Sequence, residues 1–172
     1  MIDVLDLLTV EPPYQLVDGE VVIDDTTIHS PAQIIRQLLV DLGMGEWPGE
    51  GSTWPAYATA EPNLPDRCIT VIDTTGQEDP RIFPTGEAPV HHGIQIIVRS
   101  DTHEAGFIKA YQVRNEIATN VKNQDVSIGP RNYCVVALVK ISQILPLGKE
   151  RQVPTSRSRF SINALTPIRR KS

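Results

Sequence analysis

Cysteine is nearly absent: Cys68 and Cys134 are the two in 172 residues. Both sit in apolar, strand-like runs and are expected as buried free thiols, because a reducing compartment disfavours structural disulfides. No run of about 18 apolar residues occurs, so no transmembrane helix is expected. Positive charge is missing from the start, where Asp3 and Asp6 stand in place of the basic residues of a secretory leader. The expectation is therefore folding in a cytoplasm and no membrane partner. Phosphate loops, dinucleotide fingerprints and nucleophile elbows are also absent. Gly43-Met44-Gly45 follows a helical pattern instead of opening one, which makes it no phosphate cradle. No cofactor is expected.

A chain of this length is most simply one domain and buries roughly 70% of its unfolded surface, enough to fold without a metal or disulfide. Its 14 prolines exceed the usual share of about 5%. They cluster between the periodic segments and mark long, semi-rigid connections.

The stretch from Gly93 to Val121 organises the rest. Ile94, Ile96 and Val98 alternate with Gln95, Ile97 and Arg99, the period-two pattern of a strand with one buried face. At Asp101 the period changes. Asp101 or Thr102 caps a helix, and Phe107, Ala110, Tyr111, Ile117, Ala118 and Val121 form its expected apolar stripe. Upstream, Asp18-Gly19 between Tyr14–Val17 and Val21–Ile23 signals a hairpin. Ser30, Pro31 and Gln33 then open a helix whose apolar residues are Ile34, Ile35, Leu38, Leu39 and Leu42, with Gly43 to end it. Its mixed face, with Arg36, Gln37 and Asp41, is expected to see solvent or a neighbour.

Gly45 to Asp66 reads as a long connection carrying Trp47 and Trp54, with a short strand near Trp54–Ala58 and both rings expected to pack over the core edge. Cys68–Asp73 reads as a strand that Asp73-Thr74-Thr75-Gly76 breaks, followed by a polar loop to Val90. Lys122–Arg131 reads as a turn region around Gly129-Pro130. Tyr133–Val139, apolar on both faces, reads as an interior strand. Phe160, Ile162 and Ala164 alternate with Ser161 and Asn163 as a final strand. The expected fold is α+β: a two-layer sandwich, its mostly antiparallel sheet carrying two helices packed on one face. The expected organisation is an N-terminal arm or hairpin (1–29), an α+β core (30–148) and a basic C-terminal segment with the final strand (149–172).

Charge is distributed unevenly. Residues 1–28 hold seven acids (Asp3, Asp6, Glu11, Asp18, Glu20, Asp24, Asp25) and no Lys or Arg. Residues 149–172 hold seven bases (Lys149, Arg151, Arg157, Arg159, Arg169, Arg170, Lys171) against Glu150. Such ends are suited to meet head to tail between neighbouring subunits. The remaining 1–148 carry nine bases and twenty acids, a net of −11, which disfavours nucleic-acid binding by the body.

Two clusters invite chemistry and are discounted. Asp73-Thr74-Thr75-Gly76 departs from the Asp-Thr-Gly of aspartic hydrolases by an extra Thr, and no second such element is present to share a proton. The His91-His92 pair points to opposite faces of any strand, so with His103 it makes no shared metal site, and solvated loop histidines are expected.

One ordered combination is more specific. Trp54-Pro55-Ala56-Tyr57, Pro65-Asp66-Arg67-Cys68 and Val71-Ile72-Asp73-Thr74-Thr75-Gly76 lead into His92–Ser100 and the helix after it. The Tyr133 strand and Phe160-Ser161-Ile162-Asn163 follow. This order, from about Ile34 to Asn163, resembles the tail-terminator and minor capsid (head–tail joining) proteins of tailed bacteriophages. The resemblance implies a structural, non-enzymatic virion protein of the tail or neck, assembled in the host cytoplasm. It implies a homo-hexameric ring that caps the tail tube, stops its growth and joins the tail to the head connector or head-closure protein. DNA would pass the lumen without specific binding. The alternatives are another neck or tail component, such as a head-closure ring or a tail-tube subunit, and an aspartic-type hydrolase using Asp73. Residues expected at a subunit or ring interface are Arg99, Asp101, Arg151, Arg157 and Arg159.

Overall fold

Ser30 begins the first helix through a reciprocal cap. Its hydroxyl accepts a hydrogen bond from the Gln33 amide (3.3 Å), while Gln33 Oε1 accepts from the Ser30 amide (2.9 Å), and Pro31 occupies the first turn. In the computed structural model, which describes residues 14–17, 20–23, 29–78, 90–152 and 155–171, this helix is α1 (Pro31–Asp41). It buries Ala32, Ile34, Ile35, Leu38 and Leu39, and Gly43, at φ +69°, ends it as expected. A further contact comes from a distant strand: Asp73 Oδ1 accepts from the Ala32 amide at 2.7 Å, placing a carboxylate on the positive end of the helix.

The remaining elements are β1 (Tyr14–Val17), β2 (Glu20–Ile23), β3 (Ala56–Ala58), β4 (Cys68–Glu78), β5 (Val90–Ser100), α2 (His103–Asn120), β6 (Lys122–Ile128), β7 (Arg131–Ala137), β8 (Leu145–Gln152), β9 (Thr155–Thr166) and β10 (Ile168–Lys171). A five-stranded sheet runs in the order β3-β4-β5-β9-β8 and is antiparallel except for the β3–β4 pair. A three-stranded antiparallel sheet, β10-β7-β6, closes one end of the core, and β1 and β2 form the expected hairpin. Ile69 and Val71 of β4, Ile94, Ile96 and Val98 of β5, and Phe160, Ile162 and Ala164 of β9 meet both helices in one apolar cluster. The result is the two-layer α+β sandwich, with each buried Ile, Leu or Phe contributing about 1.5–3 kcal/mol. β9 leads through Pro167 directly into β10, so one extended run crosses from the large sheet to the small one.

Three expectations are corrected and one open choice is resolved. First, Asp73-Thr74-Thr75-Gly76 does not end its strand: β4 runs on to Glu78, with its register against β5 shifting between Thr74 and Gln77. Gly76 and Gly93 face the opposite backbone here so closely that a Cβ on either would collide with the carbonyl of His91 or Thr75. The continued strand places His91 and His92 on β5, half-buried, and not in a loop. Second, Lys122–Ile128 is a strand, not a turn. Only Val126 is buried in it, so the edge strand has little apolar pattern to read. Third, of the two expected caps of α2 it is Thr102 that serves, accepting from the Ala105 amide, while Asp101 binds Arg67. Fourth, α2 buries Gly106, Ala110, Val113 and Ile117, whereas Phe107, Tyr111 and Ala118 point to solvent. The buried stripe follows i, i+4, i+7 and i+11, but its small first residues weaken the apolar signal.

Gly106 shows why small residues face inward. A Cβ there would stand 2.7 Å from Cε2 of the buried Phe160 ring, so glycine sets the approach of α2 to β9. Gly106→Val is expected to destabilise the fold by about 2 kcal/mol or more through overpacking. Urea unfolding is the measurement, and Phe160→Leu in the same chain should recover part of the loss.

Candidate interaction surface

The register of β5 and β9 places Arg99 directly opposite Arg159, with Arg157 two residues along on the same side. All three lie on the sheet face opposite the helices. Guanidinium groups on adjoining strands repel unless counter-charges reach them. The connection 59–67 supplies these. Glu61 pairs with Arg99 at 3.2 Å and with Arg159 at 2.5 Å, and Asp66 pairs with Arg157 at 2.6 Å. The carbonyls of Pro65 and Asn63 accept from Arg99 Nη2 and Arg157 Nη1, each at 2.6 Å. Side-chain exposure is 3% at Arg99 and 15% at Glu61 but 29% at Arg159, so the pairs are shielded from water to different degrees. They fasten the connection across the second face of the sheet.

Beside this cluster, Arg67 grips Asp101 with two bonds, Nε to Oδ1 at 2.7 Å and Nη2 to Oδ2 at 3.0 Å. Ser100 Oγ donates to the same carboxylate at 3.0 Å. The Arg67 hydrogen bonds hold the Asp101 carboxyl at about 2, well below its ordinary 3.8.

The structure thus gathers Arg99, Arg157 and Arg159 into one cluster, with Asp101 at its border. Arg99 and Arg157 turn inward and are spent within the subunit; Arg159 and Asp101 keep part of their surface in water. Arg151 pairs through its backbone with Ser156 on β9, and its side chain lies outside the described residues. Sequence reasoning missed Glu61, Asp66 and Arg67. Their partners are 34 to 98 residues away, which no local pattern reveals. A usable signal existed: arginines at alternating positions of apolar strands demand carboxylates from some other segment.

A second surface is apolar. Phe107, Ile108 and Tyr111 are about half-exposed on the outer side of α2, with Tyr111 at 53%. Tyr111 also lines a groove of about 560 Å³ between α2 and the Gly43-Met44 turn. Lys109 lies 5.5 Å above the Trp54 ring, and burial pushes its ammonium below the usual lysine value. Trp54 packs against the core as expected, whereas Trp47 is half-exposed under the Arg36 guanidinium at 4.0 Å. Leu64, at the crest of the 59–67 connection, is 69% exposed. Clustered exposed apolar side chains of this kind mark contact surfaces.

The other candidates serve structure. The Asp73 carboxylate caps α1, Cys68 is a buried free thiol and Cys134 a half-buried one. Among the described residues, no three His, Cys, Asp or Glu side chains gather where they could hold a metal ion, and no helix is long and apolar enough to cross a membrane.

What the molecule offers is shaped surface on a sandwich braced from both sides, the character of an assembly subunit. Residues 38–151 match the family model described as "Bacteriophage tail terminator protein". The chain belongs to this family of phage tail structural proteins, and it is a virion component that works with other tail and head proteins. No curated protein matches it significantly.

Two measurements test the arginine cluster. Glu61→Gln leaves Arg99 buried without its carboxylate and should cost about 2–3 kcal/mol in urea unfolding, below the value for a fully buried pair because Glu61 keeps some solvent. Faster hydrogen exchange in residues 59–67 should accompany it. Asp101, with its folded value depressed, stabilises the fold above about pH 4, and that contribution is lost as pH falls through about 2. Asp101→Asn should flatten this acid limb in unfolding experiments across the same range, by a small amount because the pair is solvent-exposed.

Proposed function

We propose that the protein closes into a hexameric ring on the last ring of the tail tube, stops tube growth there and offers its other face to the head connector or head-closure protein. The observation that carries this reading is the family match over residues 38–151, two-thirds of the chain. The uncovered apolar side of α2 supports it, since a lone subunit leaves Phe107, Ile108 and Tyr111 in water. A closed ring needs two different complementary patches on each subunit. The opposite charges of the two chain ends meet that requirement in kind.

In this reading Arg159 and Asp101 contribute to the seam directly, and Arg99 and Arg157 act from behind it by holding the 59–67 connection in shape. The net of −11 over residues 1–148 favours an acidic lumen along which DNA slides without sticking. The protein acts through these contacts and not as an enzyme. Asp73 has a structural task at the start of α1, which speaks against a hydrolase built on it.

Light scattering coupled to size-exclusion chromatography, followed by negative-stain imaging with and without isolated tail tubes, tests the reading. Closed six-fold rings are expected, free or seated on tube ends. Open filaments would reassign the protein to the tube itself, and a monomer that ignores tube ends would overturn the ring.

A further inference from the structure

Leu64 is the most exposed large apolar side chain among the described residues, at 69%, yet the backbone on both sides of it is fixed. The Asn63 carbonyl accepts from Arg157 Nη1 and the Pro65 carbonyl from Arg99 Nη2, each at 2.6 Å. Both arginines are buried. Pro62 and Pro65 restrict the chain further. Two buried guanidinium groups therefore pin the residues before and after a leucine that itself faces water. Such a knob is ordered in the free subunit, so little entropy is lost when a partner covers it. Its border is basic. Arg99 and Arg159 share the single carboxylate of Glu61, which leaves one positive charge in excess, and Arg159 is the more exposed of the two at 29%.

Across the sheet, on the helix side, α2 leaves Phe107, Ile108 and Tyr111 about half-exposed. Glu104, one turn earlier on the same side, is exposed and has no partner among the described residues. The bases of α2 are engaged elsewhere: Lys109 lies over the Trp54 ring, and Arg114 Nε donates to the Ser142 carbonyl at 3.0 Å. The patch is thus apolar with an acidic border, and the knob is apolar with a basic one. Three half-exposed side chains offer on the order of 300 Å², short of the roughly 800 Å² per partner in a standard stable interface. A contact of this size needs support. Ring closure supplies it, because each subunit is then held by two neighbours at once.

We propose that Leu64 of one subunit seats on Phe107, Ile108 and Tyr111 of the next, with Arg159 beside the leucine facing Glu104 at the edge of the patch. The inference rests on the ring reading and names its seam. Knob and patch lie on opposite sides of the same sheet, so every subunit gives one and receives the other, the head-to-tail arrangement that a ring requires. Apolar burial supplies the attraction. Charge selects the pairing, since knob against knob would set one excess positive charge against another.

The test uses the full chain carrying either Leu64→Asp or Ile108→Asp, with association followed by analytical ultracentrifugation. Both positions are exposed, so circular dichroism melts of each form should match the unaltered chain. Each form should associate about tenfold or more weakly. Geometry is read separately. A Leu64→Cys chain is mixed with an Ile108→Cys chain and oxidised, and peptide mass spectrometry should find position 64 of one copy joined to position 108 of another. Aspartate forms that assemble like the unaltered chain overturn the proposal and leave the ring reading standing. So does a mixture that joins like positions to each other or yields no 64–108 bond. An unaltered chain that remains monomeric both in solution and on tail tubes overturns the ring reading and this seam with it.

Discussion

The pairing of β5 with β9 sets most of what this molecule presents to its surroundings. One register puts Ile94, Ile96 and Val98 opposite Ala164, Ile162 and Phe160 under the two helices. The same register puts Arg99 opposite Arg159 on the reverse face. A slip by one residue would exchange the faces, burying arginines among Ile and Val and turning the apolar row outward. Because the register is held by the core, the like charges on the other face are unavoidable, and the 59–67 connection with Glu61 and Asp66 is their resolution. A proline-rich segment without regular structure is thereby fixed in place, and Leu64 is carried outward on a rigid mount.

Helix α2 shows the same economy of faces. Its packing side consists of Gly106, Ala110, Val113 and Ile117, small enough at one end to let the helix settle on Phe160. Its larger apolar residues are consequently turned outward. In an isolated folding unit that arrangement wastes hydrophobic surface; in a subunit of a larger assembly it is surface held ready for a neighbour. The braced sheet and the uncovered helix fit a protein whose work is contact, in keeping with its place among phage tail terminators.

Much of this could be read before the fold was known. The first helix with its reciprocal cap and Gly43 terminus, the β5–α2 unit, the N-terminal hairpin, the strand through Phe160, Ile162 and Ala164 (though β10, not it, comes last) and the two-layer α+β class all follow from local signals. Periodicity, capping and turn chemistry act over a few residues and leave direct traces. What escaped were features decided by distant partners. β6 is a polar edge strand recognisable by its neighbour β7, and β4 continues past Asp73 because β5 lies alongside it. The α2 stripe was misread since Phe107 and Tyr111 outweigh Gly106 on any hydrophobic scale, although Phe160 leaves room only for the glycine.

The candidate surface divides along the same line. Sequence alone determined the opposed charges of the two ends, the absence of recognisable catalytic motifs and the choice of Arg99, Arg157, Arg159 and Asp101 as residues worth following. Tertiary structure decided what those residues do. Arg99 and Arg157 became internal fasteners, Asp101 became the partner of Arg67, and Lys171 became the partner of Asp125. Charge is a property of the residue and is written in the chain. Whether that charge faces water, a carboxylate or another subunit depends on strand pairings between segments far apart in sequence, and the folded molecule alone settles those.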